Sequence, residues 1–174
     1  MSLMLFAKPM YQVNLGIDMG GTHKREVSGF SAEEDSKLGI SPSFEVLMPA
    51  MPNLLVGGGL EYQLGRGLDV EDYDGKFGFI PIYVVGKYAF MKNLPVTPEV
   101  VANVGYDLFT ANDDYKGEAD LSGGMYYGFG LGVNHPKGYN LQIMYRAFAG
   151  GLSDDGVDVD VTQNNLSFLL GYRF

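Results

Sequence analysis

Apolar and polar side chains alternate along this chain with a period of two. The segment from 11 to 20 is the clearest case, since glycine and polar residues fill every second position between apolar ones. A period of two is that of an extended strand whose two faces meet unlike environments. The segment therefore predicts a β-strand with one apolar face, which carries Tyr11, Val13, Leu15, Ile17 and Met19.

The same alternation returns seven more times, which predicts eight strands. They cover residues 11–20, 38–46, 54–64, 77–90, 100–108, 127–134, 139–146 and 166–174. Three connections are short or proline-rich, at 48–53, 91–99 and 135–138. The other four, at 21–37, 65–76, 110–123 and 149–163, hold 16 of the 21 acidic residues. In an up-and-down meander, alternate connections share one end. We therefore expect an acidic end with long loops, opposite an end with tight turns and both termini.

Four residues fit this strand pattern poorly. Pro42 and Pro81 lie inside predicted strands, where the missing N–H suggests a β-bulge. Phe77 and Phe79 share parity with Lys87. Either these two rings plug the mouth of a barrel, or a bulge shifts the register of the strand.

Glycine and charge on the polar face indicate that this face points inward. Glycine packs nothing on a solvent-exposed face, but it leaves room for long side chains inside a narrow eight-stranded barrel. The charges on this face nearly balance, as an enclosed network requires. We predict a lumen charge network of Asp18, Glu45, Glu61, Lys87, Asp107, Arg146 and Arg173.

Aromatic residues on the apolar face gather near the two ends of the strands. Rings at two levels with aliphatic side chains between them are typical of a barrel that crosses both interfaces of a bilayer. The predicted interface aromatics are Tyr11, Tyr62, Tyr88, Phe90, Tyr106, Tyr127, Tyr139 and Tyr145.

With these features the chain resembles the small eight-stranded outer-membrane barrels of Gram-negative bacteria, the OmpA/OmpX type. The resemblance covers nearly the whole chain, and its sharpest element is the ending LSFLLGYRF. In that family, a final alternating strand that closes on Phe is read by the outer-membrane insertion machinery. The corresponding residues here are Leu166, Phe168, Leu170, Tyr172 and Phe174.

The resemblance implies an all-β fold, an eight-stranded antiparallel up-and-down transmembrane β-barrel. It implies a monomer in the bacterial outer membrane after removal of a signal peptide, in contact with lipid, lipopolysaccharide and the insertion machinery. Residues 9–174 would form the single barrel domain. Residues 1–8 would be an N-terminal extension or a cloning remnant.

Composition excludes several other classes of protein. There is no cysteine, which removes disulfides, cysteine metal sites and thiol nucleophiles. A net charge of −9 disfavours nucleic acid as a partner. The stretch NLGIDMGGTHK is similar to the phosphate-binding turn of actin-like kinases, but 174 residues are too few for their two halves. No helix is expected after it, or after GFGLG, to hold a phosphate.

Catalysis and metal binding find little support in the sequence. His23, with Ser28, Ser31 and Glu26 nearby in sequence, is the only candidate for the catalytic histidine of a lipid-modifying enzyme, and we expect no such activity. The other histidine, His135, belongs to the opposite end. The acidic segment SDDGVDVD lacks the spacing of a calcium loop, so we expect neither a metal site nor a cofactor.

The expected function is that of a structural or surface-interaction protein that displays acidic loops to an unknown extracellular partner. One alternative is a soluble lipocalin-like barrel that binds an apolar ligand inside. Another is a narrow, porin-like channel for small solutes.

Overall fold

The computed structural model describes residues 8–27, 30–69, 74–90, 95–154 and 157–174 of the chain. Nearly all of its regular structure is β-strand. The elements are β1 (Met10–Met19), β2 (Thr22–Val27), β3 (Phe30–Asp35), β4 (Gly39–Met51), β5 (Leu54–Glu61), β6 (Arg66–Gly67), β7 (Lys76–Ala89), β8 (Thr97–Ala111), α1 (Asp113–Lys116), β9 (Asp120–Asn134), β10 (Tyr139–Asp154) and β11 (Val157–Arg173). Within the described ranges, no helix has the length and apolar character needed to cross a bilayer.

Eight of these strands close into an antiparallel barrel. The hydrogen-bonded order is β1-β4-β5-β7-β8-β9-β10-β11, and β11 returns to pair with β1 from Gln12↔Arg173 to Met19↔Leu166. The predicted eight-stranded up-and-down barrel is therefore confirmed. The predicted boundary between the domain and residues 1–8 stays a prediction, because residues 1–7 lie outside the described ranges.

Two of the predicted long loops are largely strand. Thr22–Val27 and Phe30–Asp35 pair with each other as β2 and β3, and β2 pairs with β11 from His23↔Gln163 to Glu26↔Asp160. Strands β10 and β11 also continue past the predicted boundaries, to Asp154 and from Val157. The expectation of loops at 21–37 and 149–163 was wrong because charged residues interrupt the apolar alternation there, while the backbone pairing continues.

Neither proline inside a strand marks a bulge. The register with β1 runs without a shift through Pro42, and the register with β8 runs without a shift through Pro81. The carbonyl of Pro42 accepts a bond of 3.0 Å from the Tyr62 N–H, but proline has no N–H to return, and β5 ends one residue earlier, at Glu61. The register shifts occur elsewhere, between Pro49 and Met51 and between Phe148 and Gly150.

The apolar face of the barrel points outward. Four apolar residues, each in the middle part of its strand or of the wall, show this. Val13, Leu60, Leu131 and Phe168 are 43%, 50%, 63% and 37% exposed. The interior instead holds a large set of polar and charged side chains, together with an apolar cluster. The lipocalin-like alternative needs an apolar lining, so that alternative is wrong.

Candidate functional site

A four-partner ionic cluster lies at the centre of the barrel. The guanidinium of Arg146 on β10 donates to the carboxylates of Asp18 on β1 and Glu61 on β5. It also donates to the hydroxyl of Ser167 at 2.7 Å and to that of Ser41 at 3.0 Å. The three charged side chains are at most 1% exposed. One cation on β10 thus contacts side chains of four other strands, β1, β4, β5 and β11.

A second arginine enters the barrel from the long-loop end. Arg66 on β6 is 4% exposed, and its Nη1 lies 3.9 Å from Oδ2 of Asp18. Its Nη2 donates to Gln63 at 3.1 Å, and its guanidinium lies 5.8 Å from the ring centre of Phe77. Sequence reasoning missed Arg66 because β6 falls in a segment predicted as a loop.

The tight-turn end of the interior holds two further ion pairs. Lys87 lies 2.5 Å from Glu45, and Arg173 lies 3.4 Å from Glu99. Glu99 also accepts a bond of 3.0 Å from Asn140. Glu99 is not among the predicted interior charges because it falls in the segment predicted as a proline-rich connection before β8.

Asp107, the remaining predicted interior charge, has a different environment. It is fully buried, and its Oδ2 accepts a bond of 3.2 Å from the Ala149 N–H, beside the bulge in β10. In the part of the chain that the structure describes, no cation forms an ion pair with it. The structure therefore brings six of the seven predicted charges into ion pairs and leaves Asp107 apart from them.

Aromatic side chains fill the interior at the long-loop end. Phe77 and Phe79 on β7 are 1% and 0% exposed, and the register of β7 is continuous. Phe79 packs on Phe109 and Phe148 with ring centres 5.0 and 5.3 Å apart. Phe77 packs on Tyr115 of α1 at 5.5 Å. Of the two explanations that the sequence left open, the plug is therefore correct and the register shift is not.

Glycine makes room for the largest interior side chains. Gly59 lies across from Tyr83, and a Cβ on Gly59 would meet the Tyr83 ring at 2.5 Å. Likewise, a Cβ on Gly128 would lie 3.3 Å from Cγ of Arg146. These close approaches explain why glycine recurs on the inward face of the strands.

We expect Gly59→Val to destabilise the barrel by about 1 to 3 kcal/mol, because the added methyl groups overlap the buried Tyr83 ring. The matched control is Gly86→Val, since a Cβ there has open space around it. Urea unfolding of both variants in lipid vesicles measures the difference. Equal stability of the two variants would contradict this account of the inward glycines.

His23 is buried beneath α1 rather than exposed in a loop. Gln163 donates to the hydroxyl of Ser36 at 2.9 Å, so its Oε1 is the atom that lies 3.1 Å from Nδ1 of His23. The other ring nitrogen, Nε2, lies 2.6 Å from the hydroxyl of Tyr115. The imidazole also packs on Phe77 at 4.2 Å. His23 thus ties β2, β11 and α1 together over the aromatic plug.

Of the residues considered for catalysis, Ser31 and Glu26 do not contact His23. Ser31 pairs with Glu26 on the neighbouring strand, and both side chains lie on the face of the hairpin opposite to His23. Ser28 lies outside the described residues. The two ring nitrogens of His23 are engaged by an amide and a phenol instead, an arrangement suited to structure.

We expect acid to loosen this end of the barrel. Burial is the largest cause that lowers the pKa of His23 from 6.5 to about 4, and the nearby charges of Arg25 and Arg66 lower it further. Between these two pH values an opened state binds a proton that the closed state does not. The free energy that favours the closed state is therefore at its full value above about pH 6.5. It decreases as the pH falls, by at most about 1.4 kcal/mol per pH unit.

Hydrogen exchange of the amides in 22–27, corrected for intrinsic rates, measures this opening at neutral and mildly acidic pH. His23→Phe should remove most of the pH dependence. His135→Gln, at the opposite end, should leave it unchanged. An unaltered pH response in His23→Phe would show that another group controls the opening.

The predicted outer-face residues, except Phe90, are exposed on the outside of the wall. The five residues of the C-terminal pattern are 37% to 63% exposed. Seven of the eight predicted interface aromatics are 37% to 58% exposed, and Phe90 is partly buried. Their roles in insertion and in the interfaces stay predictions. Among the described residues, no group of three or more His, Cys, Asp or Glu side chains is arranged to hold a metal ion.

A closed ring of eight antiparallel strands, apolar outside and charged inside, is the architecture of the small outer-membrane β-barrels. The chain has this fold. Neisserial surface protein A matches it with a TM-score of 0.56 and 17% identity, over 94% of this chain and 97% of that one. The outer membrane protein AlkL, solved in DMPC bilayers, gives 0.54 and 14%, over 96% and 90%. The outer membrane protein OprG from Pseudomonas aeruginosa gives 0.52 and 11%, over 95% of each chain.

No protein-family model matches the chain, and no curated protein matches its sequence. At these identities, the similar structures establish the fold alone.

Proposed function

We propose that the protein is an integral barrel of the bacterial outer membrane that anchors and displays a surface outside the cell. The single observation that carries this proposal is the inverted polarity of the wall. A continuous belt of exposed apolar side chains surrounds an interior that holds buried ion pairs. Water is a poor solvent for such an exterior, whereas lipid is a good one.

The closed sheet supports this proposal, because every strand of the ring has two hydrogen-bonded neighbours. A barrel without edges is one of the two ways in which a backbone satisfies its polar groups in lipid. On β1, apolar side chains point outward from Tyr11 to Met19. Nine residues tilted by about 45° cover roughly 20 Å, close to the ~25 Å apolar belt of such barrels.

The buried charges act as a structural core in this proposal, and the aromatic layer occludes the long-loop end. Eight strands enclose a space about wide enough for side chains to fill. Short turns face the periplasm in such barrels and longer loops face outward. The surface on display is therefore the β2–β3 hairpin, the tips of β10 and β11, and α1. A protein with this function needs no catalytic site. Its partner is a molecule that binds the displayed surface.

Fractionation of Gram-negative cells, followed by gel migration with and without heating in detergent, tests the proposal. We expect the protein in the outer-membrane fraction, with faster migration before boiling than after it. Recovery in the soluble fraction without detergent would contradict it. A steady large conductance in planar bilayers would favour the channel over a filled core.

A further inference from the structure

The long-loop end carries an amphipathic sheet that stands beyond the apolar belt. This sheet, here called the flap, consists of β2, β3 and the outer parts of β10 (150–154) and β11 (157–162). Because side chains alternate in a strand, the flap has an inner face, on the side of His23, and an outer face. The outer face carries Lys24, Glu26, Glu33, Asp35, Asp158 and Asp160.

The inner face of the flap is covered only at its base. There His23 and Val161 are fully buried against the aromatic plug. One row higher, a line of four apolar side chains crosses the sheet from β10 to β3: Leu152, Val159, Val27 and Phe30. Among the described residues nothing covers the end of this row, where Phe30 is 84% exposed.

The open row forms a cleft of about 380 Å³. Its walls are mainly apolar, from Val27, Phe30, Ala32, Leu152 and Val159, and Arg25 and Ser31 complete the lining. This volume lies at the lower end of the ~300–1,000 Å³ range of ligand pockets and suits a few large side chains. An uncovered apolar cleft in a water-facing part of a protein marks an interaction site.

Charge selects the kind of partner that fits this cleft. The flap carries seven carboxylates, Glu26, Glu33, Glu34, Asp35, Asp154, Asp158 and Asp160, against two cations, Lys24 and Arg25. Both cations are already paired with a carboxylate of the flap. Lys24 lies 3.0 Å from Glu26, and Arg25 lies 2.8 Å from Glu34.

Five carboxylates of the flap therefore have no cation partner among the described residues. All lie on the same sheet as the cleft, Asp154 on the inner face and the other four on the outer face. Between 30 and 34, β3 pairs only with β2 among the described residues, so its outer edge has no described strand partner. A bound cation can reach Glu33 around this edge.

We propose that the flap binds a cationic amphipathic polypeptide segment of another protein. Its apolar side chains enter the cleft beside Phe30, and its Lys or Arg side chains lie near Asp154, on the inner face, and near Glu33, at the outer edge of β3. This inference rests on the proposed function, since it gives the displayed surface a partner class. Apolar contact supplies the affinity, and charge supplies attraction and selectivity.

The test uses the whole protein in nanodiscs of zwitterionic lipid and a fluorescent amphipathic peptide of lysine and leucine. Fluorescence anisotropy gives the affinity, with empty nanodiscs subtracted. We expect binding that weakens with salt. A peptide with serine in place of leucine should bind more than about tenfold more weakly, because it cannot fill the cleft.

Variants separate the cleft from general charge. Phe30→Ser and Val27→Ser should each weaken binding about tenfold. Val96→Ser, at the tight-turn end, should not. Removing two flap carboxylates (Glu33→Gln with Asp154→Asn) should weaken binding more than the same change on α1 (Asp113→Asn with Asp114→Asn). Heat-modifiable migration confirms that each variant is folded.

Three results would overturn the inference: equal binding of the serine peptide, unchanged binding by Phe30→Ser and Val27→Ser, or self-association that Phe30→Ser abolishes. The last result would identify a second copy of this chain as the occupant of the cleft. Each of them leaves the proposed function intact if the protein still fractionates with the outer membrane and migrates as a folded barrel.

Discussion

Arg146→Ala should destabilise the barrel by about 3 to 5 kcal/mol, the largest effect that we expect from a single substitution. The change removes the cation that joins Asp18 and Glu61, both of which are buried. Two carboxylates would then lie close together in the interior without their main counter-charge. Reversible urea unfolding in lipid vesicles measures the loss.

A matched pair on the surface supplies the control. Arg25 also binds a glutamate, Glu34, at 2.8 Å, but both side chains are about one-third exposed. Arg25→Ala should therefore cost less than about 1 kcal/mol. If Arg146→Ala costs no more than Arg25→Ala, water reaches the interior well enough to replace the guanidinium.

Neutralising the partners tests whether the cost comes from stranded charge. We expect the triple change Arg146→Met, Asp18→Asn and Glu61→Gln to recover much of the stability lost in Arg146→Ala. A buried ion pair replaced as a whole by neutral groups of similar volume is often tolerated. Further loss in the triple variant would instead indicate that the ion pairs are favourable in themselves.

The sequence was sufficient to predict the fold because the alternation is nearly unbroken within the wall. Val13 and Leu60 each lie between two neighbours that are glycine or polar, and Phe168 keeps the two-residue spacing of the apolar face of its strand. This pattern predicts both the strand and the face that points outward. It fails where both faces of a strand meet water or polar groups. In the β2–β3 hairpin, THKREV and FSAEED mix charge with apolar residues, so that backbone pairing alone reveals the strands.

The interior was harder to predict, because its partners are distant in sequence. Parity places Asp18 and Arg146 on the inward face, but only closure of the ring brings residues 128 positions apart into contact. Arg66 and His23 gave no usable signal, because each lies outside the regular alternation and enters the interior from the long-loop end. Glu99 shares the inward parity of β8, so extending that strand by one residue would have found it.

Val84→Lys tests the membrane-facing assignment of the wall directly, and we expect it to cost about 2 to 4 kcal/mol in a bilayer. Val84 is 62% exposed and lies midway along β7, opposite Gly58 on one side and Val104 on the other. A lysine there would place its charge near the middle of the apolar belt. The control is Val157→Lys on the flap, a similarly exposed valine (51%) beyond the belt, where the same change should cost little. Folding yield and urea unfolding in vesicles measure both, and equal behaviour of the two variants would mean that water, not lipid, surrounds Val84.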